Sequence, residues 1–117
     1  YGIDAPESKQ AFGQKAKQAL TTAIATKIVT VIDHGTDIYG RMLGTIWLDG
    51  YNINASMVDS GYAWVYRFED NAIVPGYIKY ESAAQKEAKG LWADTNPVPP
   101  WQWRQANKKP RKVKEKK

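Results

Sequence analysis

The sequence predicts an α+β fold, a small antiparallel β-barrel carrying three helices. Two observations predict it. The strand-like stretches are few, short and interleaved with helical periodicity. Turn signals then separate them at hairpin rather than crossover distances. A barrel of this kind closes with about five strands, and the sequence shows three or four. The expectation is that further strands precede Tyr1.

Residues 10–24 read as the first helix. Phe12, Ala16, Ala19, Leu20 and Ala23 fall on one face at helical spacing, with Lys15, Lys17 and Gln18 off it. Pro6, Glu7 and Ser8 suit its start. Lys27–Asp33 is rich in β-branched residues and reads as a strand. The turn-rich stretch HGTDIYGR follows, with His34 as a loop residue. Arg41–Asp49 reads as a second strand, Asp49–Gly50 as a tight turn, and Tyr51–Ile53 as a short third strand. Asn54 is placed as the cap of a second helix that runs through Ser60 and ends at Gly61. Tyr62–Arg67 reads as extended and 68–77 as a loop. Ile78–Lys89 is the third helix, with Tyr80, Ala84 and Ala88 on one stripe and Gly90 ending it. Four of the six prolines lie between residues 97 and 110, so 96–104 is expected to be extended and irregular. Trp47, Trp64 and Trp92 are expected in the core. Trp101 and Trp103 either pack back on the body or stack on bases.

At 117 residues the chain is one domain at most. We divide it into a body, residues 1–103, and a basic tail, residues 104–117. The tail has eight Lys/Arg and one Glu, a net +7, whereas the body has nine basic and eleven acidic side chains. Such a block is either a solvated tail or a contact to a phosphate backbone. No stretch reaches the length of a transmembrane helix. The absence of cysteine excludes disulfides and thiolate metal sites. A single histidine, His34, argues against a zinc site or a histidine-based triad.

Two groups of residues suggest chemistry. Pro6 fixes its own φ and pushes Ala5 towards an extended conformation. The Asp4 carboxylate and the Ala5 carbonyl are hard oxygen donors of the type calcium accepts. Glu7, beyond the proline, can orient or deprotonate an attacking water. The same residues also serve as an ordinary acidic helix start. Arg41 follows a glycine turn, and its guanidinium fork matches two phosphate oxygens. Tyr39 lies two residues earlier, where its hydroxyl can bond the same phosphate. Arg41 also reads as a plain surface residue beside a hairpin.

The order of these motifs is more specific than any one of them. G-I-D-A-P-E is followed by Y-G-R with L-G-T-I-W-L-D-G, N-x-x-M-V-x-x-G-Y-A-W-V-Y, G-L-W and P-V-P-P-W-x-W-R. This resembles the staphylococcal nuclease family, over roughly residues 1–104. The resemblance implies a five-stranded OB-like barrel with three helices. It implies calcium-dependent hydrolysis of DNA and RNA phosphodiesters, leaving 3′-phosphates. By the same resemblance Asp4 and the Ala5 carbonyl are calcium ligands, and Glu7 is the general base or water-orienting group. Arg41 then binds the scissile phosphate, Tyr39 lies near it, and Tyr66 flanks the nucleotide. The family carries an earlier segment with a D-G-D-T-like turn and an arginine two positions before the residue matching Tyr1. The 117-residue chain alone is therefore expected to be weakly active or inactive, and to self-associate or exchange strands. The resemblance favours a secreted or periplasmic protein. The alternative reading is a non-catalytic, nucleic-acid-binding OB-like module.

Overall fold

A computed structural model describes residues 1–38 and 40–107. Tyr39 and the expected tail beyond residue 107 lie outside the described residues. The chain runs β1 (Ile3–Asp4), α1 (Gly13–Ile24), β2 (Thr30–Thr36), β3 (Met42–Leu48), β4 (Tyr51–Asn52) and α2 (Ile53–Asp59). It continues through β5 (Trp64–Val65), β6 (Arg67–Phe68), β7 (Asn71–Ala72), α3 (Ile78–Lys86) and α4 (Pro100–Ala106), with 3-10 turns at Pro75–Tyr77 and Gly90–Ala93. The fold is α+β and every strand pair is antiparallel. The described strands form three sheets, β1–β5, β2–β3–β4 and β6–β7.

The β2–β3–β4 meander follows from its turn chemistry. Asp49 and Gly50 both have positive φ, 51° and 81°. That is what a two-residue hairpin requires, and Leu48 pairs with Tyr51 across it. β2 begins three residues later than the sequence reading and extends through His34. His34 is thus a strand residue, not a loop residue. Its ring stacks on Tyr1 at 4.1 Å, and its Nε2 lies 2.9 Å from the Thr45 hydroxyl.

The second helix starts two residues earlier than expected. Asn52, not Asn54, caps it, accepting a hydrogen bond from the Ala55 amide at 3.0 Å. Asn54 is buried instead. It donates to the carbonyls of Tyr1 (3.2 Å) and Gly44 (3.0 Å) and accepts from the Ile46 amide (3.1 Å), so one amide side chain ties α2 to β3 and to the chain start. Residues 68–77 are not simply a loop, since they hold part of the β6–β7 hairpin and a 3-10 turn.

The core is Ile53, Met57 and Val58 of α2 packed with Ala63, Val65 and Tyr77. Leu20 and Ile24 of α1, Ile3 of β1 and Ile46 of β3 close around it. Of the three core tryptophan expectations, Trp47 fails, since it lies on the exposed part of β3. Trp64 and Trp92 are half-buried and meet edge-on with centroids 4.5 Å apart. The proline-rich stretch is extended only to Pro99. Pro100 then opens α4, because a proline at the first helical position loses no bond it would otherwise make.

Candidate active site

Everything at this site depends on where β1 ends. β1 is two residues long, yet its position is over-determined. Ile3 pairs with Val65 and Asp4 with Trp64. The Tyr66 amide donates to the Gly2 carbonyl at 3.0 Å. β5 is itself anchored from behind by Glu81 of α3. The Glu81 carboxylate accepts from the Val65 amide at 2.8 Å and pairs with the Arg67 guanidinium at 2.7 Å. Glu81 is buried, and its bond to Arg67 raises the Arg67 pKa. A buried carboxylate with both a guanidinium and a backbone amide as partners is satisfied on every side that matters.

After Asp4 the chain turns at buried Pro6 and presents Glu7. Gln10 fixes that turn. Its amide nitrogen donates to the Glu7 carbonyl at 2.8 Å, and its side-chain oxygen accepts from the Glu7 amide at 3.1 Å. Its side-chain nitrogen donates to the Val98 carbonyl at 2.5 Å, which docks the segment before α4 against the same turn. Phe12 adopts a left-handed φ of 70° and α1 starts at Gly13, which crosses directly over the Glu7 carbonyl.

The two carboxylates then converge on one cation, the guanidinium of Arg104. Its Nη2 donates to Asp4 Oδ2 at 2.5 Å. Its Nη1 donates to Glu7 Oε2 at 2.5 Å and to Asp4 Oδ1 at 3.3 Å. The Asp4 side chain is 17% exposed, against 37% for Glu7 and 42% for Arg104. Burial pushes the Asp4 carboxyl above the usual carboxylate range, and the nearby Glu7 adds to this. Arg104, and more weakly Arg41, pull the other way. The Arg104 guanidinium is held still more firmly protonated, chiefly by its hydrogen bond to Asp4. The pair is therefore attractive, and Asp4 is raised because burial outweighs that attraction.

Arg41 stands at the tip of the β2–β3 hairpin with its side chain 73% exposed. Its Nε donates to Asp37 at 2.8 Å, and its amide also bonds to Asp37. Its charge is felt at Asp4. Tyr66 presents its ring edge-on to Trp101, centroids 5.9 Å apart, and Trp101 also meets Trp64 at 5.8 Å. Trp101 thus packs back on the body. A cavity of about 180 Å³ borders the site, lined by Pro6, Gln10, Phe12, Trp64, Val98 and Trp103. A larger one of about 440 Å³ between β4, α2 and α3 has none of these site residues in its wall.

The donor set fits a hard divalent cation. Asp4 and Glu7 are carboxylates already gathered about one positive group, and Ala5 between them brings a carbonyl. Among the described residues no cluster of three or more His, Cys, Asp or Glu is present. Asp4 and the Ala5 carbonyl would by themselves supply only part of the six to eight oxygens that calcium takes. Three residues that build the site have no site role in the sequence reading. Arg104 appears there as the end of the P-V-P-P-W-x-W-R motif and the first charge of a basic block. Gln10 and Gly13 read as ordinary helix positions.

Comparison with known proteins gives the following. Residues 1–94 match the family described as staphylococcal nuclease homologue. The chain is 43% identical over 111 residues to Protein ParB of Escherichia coli, a match covering 87% of this chain and 63% of that protein. It is 40% identical over 115 residues to a micrococcal nuclease of Shigella flexneri, covering 91% and 66%. It is 42% identical over 106 residues to an uncharacterized endonuclease of Haemophilus influenzae, covering 91% and 58%. The chain spans about three-fifths of the length of these relatives.

Proposed function

The chain belongs to the staphylococcal nuclease homologue family, and on that premise we propose that it carries the catalytic part of a calcium-dependent endonuclease. Its substrates are DNA and RNA, and its products end in 3′-phosphates. One observation carries this reading beyond family membership. Asp4 and Glu7, on either side of a single proline, are held by separate elements so that both face the same cation position. A helix start that merely complemented its dipole would not need the second strand, the glutamine clamp and the C-terminal helix to hold it.

In this reading each residue has a separate task. Asp4 and the Ala5 carbonyl hold calcium. When bound, calcium neutralises phosphate charge and offers a Lewis acid to the phosphodiester. Glu7 orients an attacking water, or accepts its proton, from a turn whose backbone is fixed on both sides by Gln10. Arg41, itself exposed, exchanges its partner Asp37 for two phosphate oxygens, a fork-to-fork contact that favours the charge of the transition state. Tyr66, beside Trp101, flanks the nucleotide. The five-stranded OB-like barrel of the resemblance belongs to the same proposal, with the β2–β3–β4 meander and the β1–β5 pair contributing to it.

The test is incubation of supercoiled plasmid and of single-stranded RNA with calcium, then with excess chelator. Cleavage that the chelator abolishes, with 3′-phosphate ends and at a low rate for the 117-residue chain alone, is the expected result. Retardation of nucleic acid on a gel with no cleavage would instead establish a binding module.

A further inference from the structure

Arg104 is separated from Asp4 by 100 positions, yet it donates every hydrogen bond that the two carboxylates, Asp4 and Glu7, accept among the described residues. Three features show that this contact is built rather than incidental. Pro100, the first residue of α4, is fully buried. The chain before it is pinned by the Gln10–Val98 bond, and Gln10 is the residue that also clamps Glu7. Trp101 and Arg104, three residues apart, share one face of α4. Trp101 packs on Trp64, which is the strand partner of Asp4, so the same helical face that meets β5 delivers the guanidinium to the end of β1.

The guanidinium engages both oxygens of the Asp4 carboxylate, the oxygens that a cation held by Asp4 would need, and reaches Glu7 as well. Charge-assisted bonds of this type are stronger than neutral ones, so a cation entering the site does so against them. We infer that Arg104 is a positioning residue of the site: it is the resident counter-cation of Asp4 and Glu7, it keeps the two carboxylates together before metal arrives, and divalent calcium must displace it. α4 is then a strap over the site whose release accompanies metal loading. This inference rests on the proposal that Asp4 holds calcium with Glu7 beside it.

The experiment is calorimetric titration of calcium chloride into the whole chain and into its Arg104→Gln and Arg104→Lys variants. A parallel titration follows the Arg104 Nε–H resonance by NMR in the unsubstituted protein. Competition predicts calcium affinity increased by about tenfold or more in Arg104→Gln, a smaller increase in Arg104→Lys, and a shifted Arg104 resonance at saturating calcium. Calcium binding that is unchanged or weaker in Arg104→Gln overturns the inference while leaving the calcium site standing. An Arg104 resonance that does not move at saturation overturns it too, and does so without any variant having to fold. Absence of calcium binding in all three proteins overturns both the inference and the calcium site.

Discussion

Gly13 lies against Glu7 so closely that a Cβ at position 13 would overlap the Glu7 carbonyl oxygen. The start of α1 and the turn that carries the candidate general base are therefore one packed unit. Gly13→Ala must push Glu7 or α1 aside. Overpacking against backbone costs about 1–3 kcal/mol, so we expect a lowered midpoint in urea. If the proposed role of Glu7 holds, cleavage should fall in step with displacement of the turn. Retained stability would show that α1 shifts without cost.

Arg67 and Glu81 make the second structural prediction. Arg67→Ala leaves the buried Glu81 carboxylate with only the Val65 amide as partner. Removal of one member of a buried pair typically costs about 3–5 kcal/mol, and here the loss is transmitted through β5 to Asp4. Thermal unfolding should show a midpoint lowered by several degrees. A double variant replacing both residues with apolar ones should recover much of it, because the uncompensated charge is then gone.

The sequence makes the meander and the helices legible because their signals are local. Asp49–Gly50 demands positive φ, and the aliphatic positions of α1 repeat at helical spacing whether or not their partners are known. It does not make α4 legible. Four prolines in the segment 97–110 argue for extended chain, and only the placement of Pro100 at the first helical position converts them into a helix start. The site divides the same way. Asp4 and Glu7 stand out because four consecutive residues hold both carboxylates and a proline. Arg104 and Gln10 do not, since what matters about each is a contact made 88 to 100 positions away. Asn54 was equally hidden: a capping residue type at a helix start looks the same whether it caps or is buried.

β2 predicts how the chain behaves at high concentration. It is an edge strand, all seven of its residues are exposed, and Val31 and Ile32 are among them. Unpaired backbone beside exposed aliphatic side chains invites pairing with a second copy. Sedimentation velocity should show mass increasing with concentration, and Ile32→Lys should suppress it. Concentration-independent monomer in the unsubstituted chain would refute this.

Glu7 and Arg41 should separate by the kind of defect they cause. Glu7→Gln keeps the shape of the turn but removes the base, so kcat should fall by about 10²–10⁴-fold with KM little changed. Arg41→Ala removes a contact made to the phosphate as charge develops, and a loss of about 10²–10³-fold in kcat/KM is expected. Both variants should unfold at nearly the parent temperature, since Glu7 is partly exposed and Arg41 largely so. Near-parent turnover in either would remove that residue from the mechanism.

The Asp4–Arg104 pair gives the pH prediction. Asp4 has its folded pKa raised above the ordinary 3.8, by burial first, although Arg104 lowers it. A folded state that binds this proton more tightly than the unfolded chain is favoured while the proton is on. The contribution of Asp4 to stability is thus fully present below 3.8 and is lost as pH rises through its raised folded value. Arg104→Gln removes the largest lowering influence, so the Asp4 pKa should move further up and the loss should extend to higher pH. Carboxyl-carbon NMR titration of Asp4 reads the shift directly, and unfolding midpoints from acid to neutral pH read its consequence. Relative to Asp4→Asn, which has no proton to lose, the Arg104→Gln curve should fall more steeply with rising pH than the parent curve does. Superimposable parent and Arg104→Gln curves, with an unmoved Asp4 titration, would mean that the guanidinium does not hold the carboxylate in solution.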